Sequence, residues 1–123
     1  MATKYGNKIT QAGGKTFHSK LEADRYLELC IMAKAGKIKD LQCQVKYSLD
    51  VEGVHIANYF ADFTYTTEHG ASVVEDTKSP ATVTDTYRMK ERLMLACHGI
   101  KVERVYRSQV STGKTVNRRR KIA

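Results

Sequence analysis

The amino-acid sequence predicts an α/β domain in which a helix, a three-strand antiparallel meander, a second helix and a final strand follow one another. Hydrophobic and polar residues alternate without a break over Leu41–Leu49, which is typical of a half-buried strand. Ser19-Lys20-Leu21-Glu22 pairs an N-cap serine with a glutamate three residues later, which is typical of a helix start. Short turns between the strand patterns favour antiparallel neighbours.

Glycine and turn residues set the predicted bounds of the first elements. The first helix runs to about Ala35, and Gly36 ends it. The three strands of the meander cover Leu41–Leu49, Val54–Tyr65 and Ala71–Lys78. In the first of them every second residue is predicted to point inward, namely Leu41, Cys43, Val45, Tyr47 and Leu49.

The second helix is predicted from a cap at Asp85 to about Cys97, and Gly99 closes it. Its predicted apolar side consists of Met89, Leu93, Ala96 and Cys97. The weakly alternating segment Ile100–Tyr106 is then predicted to return as a strand beside the sheet.

Composition and charge narrow the classes of function. The 123 residues are 41% hydrophobic and 28% charged, which is ordinary for one soluble globular domain. No apolar run is long enough for a membrane span or a signal peptide, so we expect a cytoplasmic location. The net charge of +8 favours a polyanionic partner, most often nucleic acid. An anionic membrane surface is less favoured, because no basic amphipathic helix with exposed aromatic residues is evident.

The cysteines and histidines predict neither a disulfide framework nor a zinc site. Cys30, Cys43 and Cys97 are odd in number, widely spaced and without a CxxC motif. We expect small buried thiols in a reducing cytosol. The four histidines also lack ligand spacing.

The chain divides into three predicted segments. Residues 1–17 form a basic, flexible lead-in or a short hairpin, residues 18–108 form the folded domain, and residues 109–123 form a basic, flexible tail. The lysines of the lead-in suit a solvated arm and a DNA-backbone contact equally well. The cations that end the tail would raise non-specific affinity for nucleic acid, and they are Arg118, Arg119, Arg120 and Lys121.

Acidic residues interrupt two otherwise apolar strand faces in the predicted hairpin Tyr59–Lys78. Because side chains alternate along a strand, Asp76 and Lys78 share one face and Glu75 takes the other. The turn between the strands would place Asp62 close to Asp76, directly or diagonally. Two carboxylates beside an ammonium suit a divalent cation next to a phosphate, although a surface salt-bridge cluster is the structural alternative.

Glu22 of the first helix has two interpretations. As the third helical residue it would complete a capping box with Ser19. It also lies on much the same helix face as Tyr26, Leu29 and Ala33, so it leans towards the rest of the domain. The residues alone favour the cap and leave a metal-binding role open.

Six stretches within Lys4–Tyr106 carry a resemblance to a known family, and they are KYGNK, FHSKLEADRYLEL, AGKIKDLQCQVKYSL, ADFTY, VVEDTKS and YRMKERLML. With Asp62 and the Asp76-x-Lys78 element on adjacent strands behind a helix bearing Glu22, the chain resembles the PD-(D/E)XK nuclease superfamily. More closely, it resembles the small phage-encoded endonucleases of that superfamily, such as Holliday junction resolvases. Ala61 stands where the superfamily often has a proline. The resemblance implies a restriction-endonuclease-like core, with a mixed central sheet flanked by helices.

The resemblance also implies a Mg²⁺-dependent deoxyribonuclease in which Mn²⁺ can substitute. Asp62 and Asp76 would bind the metal, with the Thr77 carbonyl as a third ligand and Glu22 as a further one. Lys78 would hold the attacking water or a phosphate oxygen. The residues predicted to contact nucleic acid, besides the tail cations, are Gln44, Tyr87, Arg88 and Lys90.

From these observations we predict a metal-dependent DNA endonuclease of a phage, acting in recombination or DNA processing. Branched DNA such as a Holliday junction is the predicted substrate, and paired cuts would need a homodimer. No membrane and no small-molecule substrate are expected. A non-catalytic nucleic-acid-binding protein with the same fold is the alternative. A subunit that cuts only when recruited to a recombination or packaging complex is a third possibility.

Overall fold

The computed structural model describes residues 10–12 and 14–111, and it confirms the predicted order of helix, meander, helix and strand. A small hairpin precedes this order, and short 3₁₀ turns follow the last strand of the meander and the final strand. The elements are β1 (Thr10–Ala12), β2 (Lys15–Phe17), α1 (Lys20–Lys34), β3 (Ile38–Val51), β4 (Val54–Thr67), β5 (Ser72–Lys78), α2 (Asp85–His98) and β6 (Glu103–Tyr106).

The central sheet has the strand order β3-β4-β5-β6 and is mixed, as expected. β3, β4 and β5 pair antiparallel, whereas β6 runs parallel to β5. The ladder between β4 and β5 ends at Phe63 and Glu75. From that point β4 continues beside β3 while β5 continues beside β6, so the two central strands separate and form a fork.

α1 begins and ends where the sequence predicts. The Ser19 Oγ accepts a hydrogen bond from the Glu22 N–H at 3.1 Å. After the last turn Gly36 adopts a φ of +79°, a left-handed conformation that glycine takes at little cost. Leu29 is fully buried and Ala33 packs beside it, so the predicted apolar face is the one that meets the sheet.

α2 differs from the prediction at its start and in the face that it buries. Thr84 is the N-cap, because its side chain accepts from the Tyr87 N–H, and Asp85 is the first helical residue instead. The predicted apolar residue Met89 is exposed, and so is Ala96.

The residues of α2 that are buried are Tyr87 and Met94. They lie seven positions apart and therefore on one helix face, so the helix is rotated relative to the predicted apolar side. The closing residue was predicted correctly, since Gly99 ends the helix with a φ of +68°.

Two hydrophobic clusters lie on opposite faces of β5. The α1 cluster is built on Leu29 and Phe63, and the α2 cluster on Tyr59 and Met94. Glu75 bonds to Arg25 of α1, whereas the next residue of β5 bonds towards the α2 cluster. Because successive side chains of a strand point to opposite faces, the two helices cover opposite sides of β5.

The residues predicted to point inward on β3 are more buried than their neighbours, as expected, but they are shared between two clusters. Leu41 and Cys43 pack on the α1 cluster, whereas Tyr47 and Leu49 belong to the α2 cluster. β4 changes clusters in the same way, and its change falls between Ala61 and Phe63.

Gln44 lies where β3 passes from one cluster to the other. Its φ of +52° is a conformation that non-glycine residues rarely adopt, and the pairing of β3 with β4 is interrupted at this residue. The register pairs Cys43 with Phe63 and Val45 with Ala61, so Gln44 lies opposite Asp62. The interruption therefore sits at the rung formed by these two predicted site residues.

The chain packs beyond the last strand as well. Val110 is buried, and the Ser111 N–H donates to Glu28 Oε2 at 2.9 Å. The predicted tail segment 109–123 overlaps this packed stretch, and its cations Arg118, Arg119, Arg120 and Lys121 lie outside the described residues. The three cysteines are free and half-buried, rather than buried as predicted, since none of them belongs to the buried part of either cluster.

Candidate active site

The predicted acids of the two central strands meet where β4 and β5 separate. The Asp62 N–H donates a hydrogen bond of 2.8 Å to Asp76 Oδ1. If the register of the β4–β5 ladder is continued by one residue, Asp62 lies opposite Asp76, which is one of the two positions that the sequence predicts. Glu22 joins them from α1, and these three carboxylates are called the acidic cluster below.

The Asp62 carboxylate is held by two neighbours. Its Oδ2 accepts from both the N–H and the hydroxyl of Thr77, at 3.0 and 2.8 Å. Its Oδ1 accepts from Gln44 Nε2 at 3.0 Å. These contacts turn the Asp62 carboxylate towards α1.

Glu22 is linked to Asp62 through Gln44. The same Gln44 Nε2 donates to Glu22 Oε2 at 2.9 Å, so one amide bridges two carboxylates. Ser19 forms its half of the capping box, while the Glu22 side chain is drawn to the strands. Burial, and then the negative charges of Asp62 and Asp76, raise the pKa of Glu22 to about 7.

Asp76 is only 3% exposed and is held on both oxygens. Oδ1 accepts from the Asp62 N–H, and Oδ2 accepts from the buried Tyr59 hydroxyl. Burial, and then the charge of Asp62, raise the pKa of Asp76 to about 6. The Tyr59 hydrogen bond and the charge of Lys78 act in the opposite direction.

Lys78 completes the site with the positive charge that the sequence predicts. Its Nζ lies 3.8 Å from the centre of the Tyr87 ring, close enough for a cation–π contact. Tyr87 is buried beneath Lys78, and its predicted contact with a nucleic-acid backbone stays a prediction. Tyr87 lies on the face of α2 that packs against the sheet, rather than on the face exposed to solvent.

Glu75, the other acid that the sequence offers at the end of β5, belongs to a different region. Arg25 donates to both of its carboxylate oxygens, at 2.6 and 3.0 Å, and Tyr65 donates a further hydrogen bond. This acid is already neutralised on the α1 face, whereas Asp76 lies with Tyr59 on the opposite face.

Two open clefts meet at the acidic cluster, and Asp62, Lys78 and Thr82 line both of them. The α1 cleft, of about 580 Å³, is further lined by Glu22, Lys20 and Arg107, among others. The α2 cleft, of about 440 Å³, is further lined by Tyr59, Asp76, Thr84, Tyr87 and Lys90, among others. The fork is therefore open on both sides of the sheet.

The two predicted phosphate-binding cations of α2 differ in position. Lys90 lines the α2 cleft beside Asp76 and Lys78. Arg88 lines neither cleft, and its exposed guanidinium bonds to Asp85 at 2.8 Å. The structure therefore brings Lys90, but not Arg88, to the acidic cluster.

Three residues at this site were not found from the sequence. Lys20 lies between Ser19 and Glu22, and these two residues alone account for the helix-capping motif, so the motif gives no role to Lys20. Tyr59 lies on the inward face of β4 and resembles any core tyrosine. Arg107 follows β6, so its approach to the cleft depends on the parallel pairing of β5 and β6, which no local pattern reveals.

The donor chemistry of the acidic cluster fits a hard divalent cation. All three side chains offer carboxylate oxygens, which Mg²⁺ prefers. Burial, together with the charge of Asp62, raises the pKa of both Glu22 and Asp76, so a cation among the three carboxylates would be favoured. Within residues 10–12 and 14–111, however, no three His, Cys, Asp or Glu side chains form a ready metal cage. Hydrogen bonds from Gln44 and Thr77 occupy the carboxylates instead.

Comparison with known proteins places the chain in a family. In the described part of the chain, neither helix is long and apolar enough to cross a membrane. No curated protein and no solved structure matches the chain. A family model described as a protein of unknown function, DUF1064, matches residues 2–113 and so includes the whole acidic cluster. The chain therefore belongs to the DUF1064 family.

Proposed function

We propose that this protein is a metal-dependent endonuclease that hydrolyses phosphodiester bonds in DNA. The observation that carries the proposal is the meeting of Glu22, Asp62 and Asp76 beside Lys78 at an open fork of the sheet. A structural ion-pair cluster would balance its charges, as Glu75 and Arg25 do. This cluster leaves an excess of buried negative charge that an external cation would neutralise.

Asp62 and Asp76 would hold a Mg²⁺ or Mn²⁺ ion, with the Thr77 carbonyl and Glu22 as further ligands. A bound metal supplies charge stabilisation at the phosphate and acidifies water. Gln44 now occupies the space between Glu22 and Asp62, so its amide would exchange these contacts for metal or water. The Tyr59 hydroxyl would keep the Asp76 carboxylate in a fixed orientation.

Lys78 would hold a non-bridging phosphate oxygen or orient the attacking water. Its ammonium rests on the Tyr87 ring, which limits its freedom without consuming its hydrogen-bond donors. Because the ring is buried, the ammonium is held at the mouth that both clefts share. Holding a reacting group before substrate arrives lowers the entropic part of the barrier.

The resemblance to the PD-(D/E)XK superfamily supports the same reaction and extends it. It favours a phage enzyme of recombination or DNA processing that acts in the host cytoplasm. It also favours branched DNA, such as a four-way junction, and a homodimer that makes paired cuts. The net charge of +8 suits such a polyanionic substrate.

The deciding experiment replaces the acids one at a time. Asp62→Asn and Asp76→Asn should each abolish cleavage in Mg²⁺, while both keep the fold and bind DNA in Ca²⁺ or EDTA. Linear, nicked, flapped and four-way DNA should be compared so that a structural preference is seen. Asp40→Asn is the matched control, because this exposed residue has a φ of 58° that asparagine adopts equally well. Cleavage at the wild-type rate in both acid variants would exclude the proposed site.

A non-catalytic nucleic-acid-binding protein is the second candidate. The observation that favours it is the set of hydrogen bonds from Gln44 and Thr77 that already engages the carboxylates of Glu22 and Asp62. Titration of the protein with Mn²⁺ separates the two candidates, independently of cleavage. A nuclease should bind Mn²⁺ and lose this binding in Asp62→Asn, whereas a pure binding protein should bind DNA with no specific Mn²⁺ site.

A further inference from the structure

The α1 cleft carries positive charge that the proposed chemistry does not use. Lys20 lies at the start of α1 and Arg107 directly after β6, and both line the cleft together with Lys78. The Lys20 side chain is 63% exposed and the Arg107 side chain 47% exposed. Both cations are therefore accessible from solvent, on the side of the acidic cluster away from α2.

One carboxylate holds these two cations in place. Asp24 Oδ2 accepts from Lys20 Nζ at 2.8 Å and from Arg107 Nη1 at 3.1 Å. The Asp24 side chain is only 11% exposed, so it anchors the pair from below. Two cations share one anion, which leaves a net positive charge with donors still directed to solvent.

The α2 cleft has a cation of its own on the other side of the acidic cluster. Lys90 lines that cleft, and Asp62, Lys78 and Thr82 line both clefts. Across the fork, the cations of the α1 cleft therefore come first, the acidic cluster with Lys78 lies in the middle, and Lys90 of the α2 cleft follows. A chain of evenly spaced phosphates, with one phosphate beside a metal at the centre, matches this order of charges.

We propose that Lys20 and Arg107 form a phosphate subsite that holds the nucleic-acid strand on the α1 side of the cut position. The strand then crosses the fork from the α1 cleft, over Asp62 and Lys78, into the α2 cleft beside Lys90. This inference rests on the proposed function for its ligand, a nucleic-acid strand, and adds the path of that strand.

The test measures binding of fluorescent single-stranded and four-way DNA in Ca²⁺ across a salt series. Lys20→Gln and Arg107→Gln should each weaken binding about 3- to 10-fold and reduce the slope of log K against log salt by roughly 0.7 to 0.9. Lys37→Gln is the matched control. Its side chain is 62% exposed and pairs with Glu68 at 3.7 Å, but it follows the other end of α1. The control should leave both the affinity and the slope close to wild type.

Asp24→Asn distinguishes the subsite from a purely structural clamp. If Lys20 and Arg107 serve only to neutralise Asp24, this variant lowers the melting temperature and leaves DNA affinity unchanged or lower. If they bind phosphate, the variant removes the negative charge that competes with phosphate for both cations, and DNA affinity rises even where the melting temperature falls. Arg107→Lys, which keeps the charge, should retain most of the affinity that Arg107→Gln loses.

Wild-type affinity and salt slope in Lys20→Gln and Arg107→Gln would overturn the subsite, and so would an unchanged or lower affinity in Asp24→Asn. These outcomes do not depend on cleavage. If the subsite is overturned but Asp62→Asn still abolishes cleavage, only the subsite has failed and the proposed active site stands. If the acid variants cut normally while Lys20→Gln binds weakly, the proposed active site has failed and the subsite stands.

Discussion

Two neighbouring acids on β5 show how differently one strand can use a buried carboxylate. Glu75 is fully engaged by Arg25 and Tyr65 on the α1 face. Asp76 is equally buried on the opposite face, but its partners are a tyrosine hydroxyl and a main-chain N–H. Glu75 is hydrogen-bonded to a positively charged side chain, whereas both hydrogen-bond partners of Asp76 are neutral. We take the neutralised acid as part of the framework and the incompletely neutralised one as part of the site.

The largest expected effect that separates the two acids is on cleavage. Asp76→Asn should reduce DNA cleavage by roughly a thousandfold or more, the scale seen when a central catalytic group is removed. Its melting temperature should stay close to wild type, because asparagine still accepts the Asp62 N–H. The rate is measured under single turnover with saturating Mg²⁺. A variant that unfolds instead would place Asp76 in the framework and remove the contrast with Glu75.

Glu75→Gln should give the reverse result. The change removes the buried partner of Arg25 and leaves Glu28 as its charged partner, so the cost should lie at or below about 3–5 kcal/mol, the unfolding free energy lost when one member of a buried pair is removed. The residual folded protein should still cleave DNA, since the acidic cluster is intact. Urea titration gives the free energy, and cleavage is assayed at low temperature. Unchanged stability would show that the Arg25 pair contributes little.

The pH dependence of stability sharpens the comparison. The pKa of Glu22 is raised from 4.5 to about 7 in the folded protein, so the folded state binds its proton more tightly than the unfolded chain does. The unfolding free energy therefore falls as pH rises from 4.5 to 7, and Asp76 adds to this fall between 3.8 and about 6. Glu22→Gln should flatten the profile and raise stability at pH 8 by about 1–3 kcal/mol.

Activity and metal should respond in the opposite sense. Glu22→Gln should lower cleavage strongly even though the protein becomes more stable at pH 8. Mg²⁺ should stabilise the wild type at pH 8 more than the variant, because the ion binds the ionised carboxylates of the folded state only. Melting curves at several pH values, with Mg²⁺ or EDTA, measure both effects. Equal activity in the variant would return Glu22 to the role of a cap.

The smallest expected effect concerns the partner of Asp76. Tyr59→Phe removes one hydrogen bond to a charged group, which should cost about 1.5–3 kcal/mol at most. Because the hydroxyl orients Asp76, Mn²⁺ affinity should fall several-fold as well. Isothermal titration with Mn²⁺ measures that affinity without a cleavage assay. Full Mn²⁺ affinity with reduced stability would make Tyr59 a core residue only.

Local sequence patterns predicted the fold and much of the grouping of these residues. The period-2 alternation placed Asp76 and Glu75 on opposite faces, and the helix period turned Glu22 towards the sheet. Both inferences need only the geometry of one element at a time. The order of the elements followed from the same local signals.

The parts that were not predicted depend on contacts between elements. Gln44 has a left-handed backbone conformation although the alternation around it is perfect, so nothing in β3 alone reveals the change of face. On α2, exposed Met89 looked like a core residue while buried Tyr87 looked like a surface contact, because composition does not fix the rotation of a helix. Arg107 reaches the α1 cleft only through the parallel pairing of β5 and β6.

The rung of Gln44 and Asp62 also limits how the length of the β3–β4 hairpin can change. Beyond this rung, Tyr47, Leu49 and Tyr59 must keep facing the α2 cluster. Removing a single residue between the rung and these side chains would turn them to the other face, whereas removing two from each strand would preserve their direction. Hairpin length in this fold should therefore vary in pairs of residues. Variants shortened by one and by two residues per strand, compared by melting temperature, would show this step.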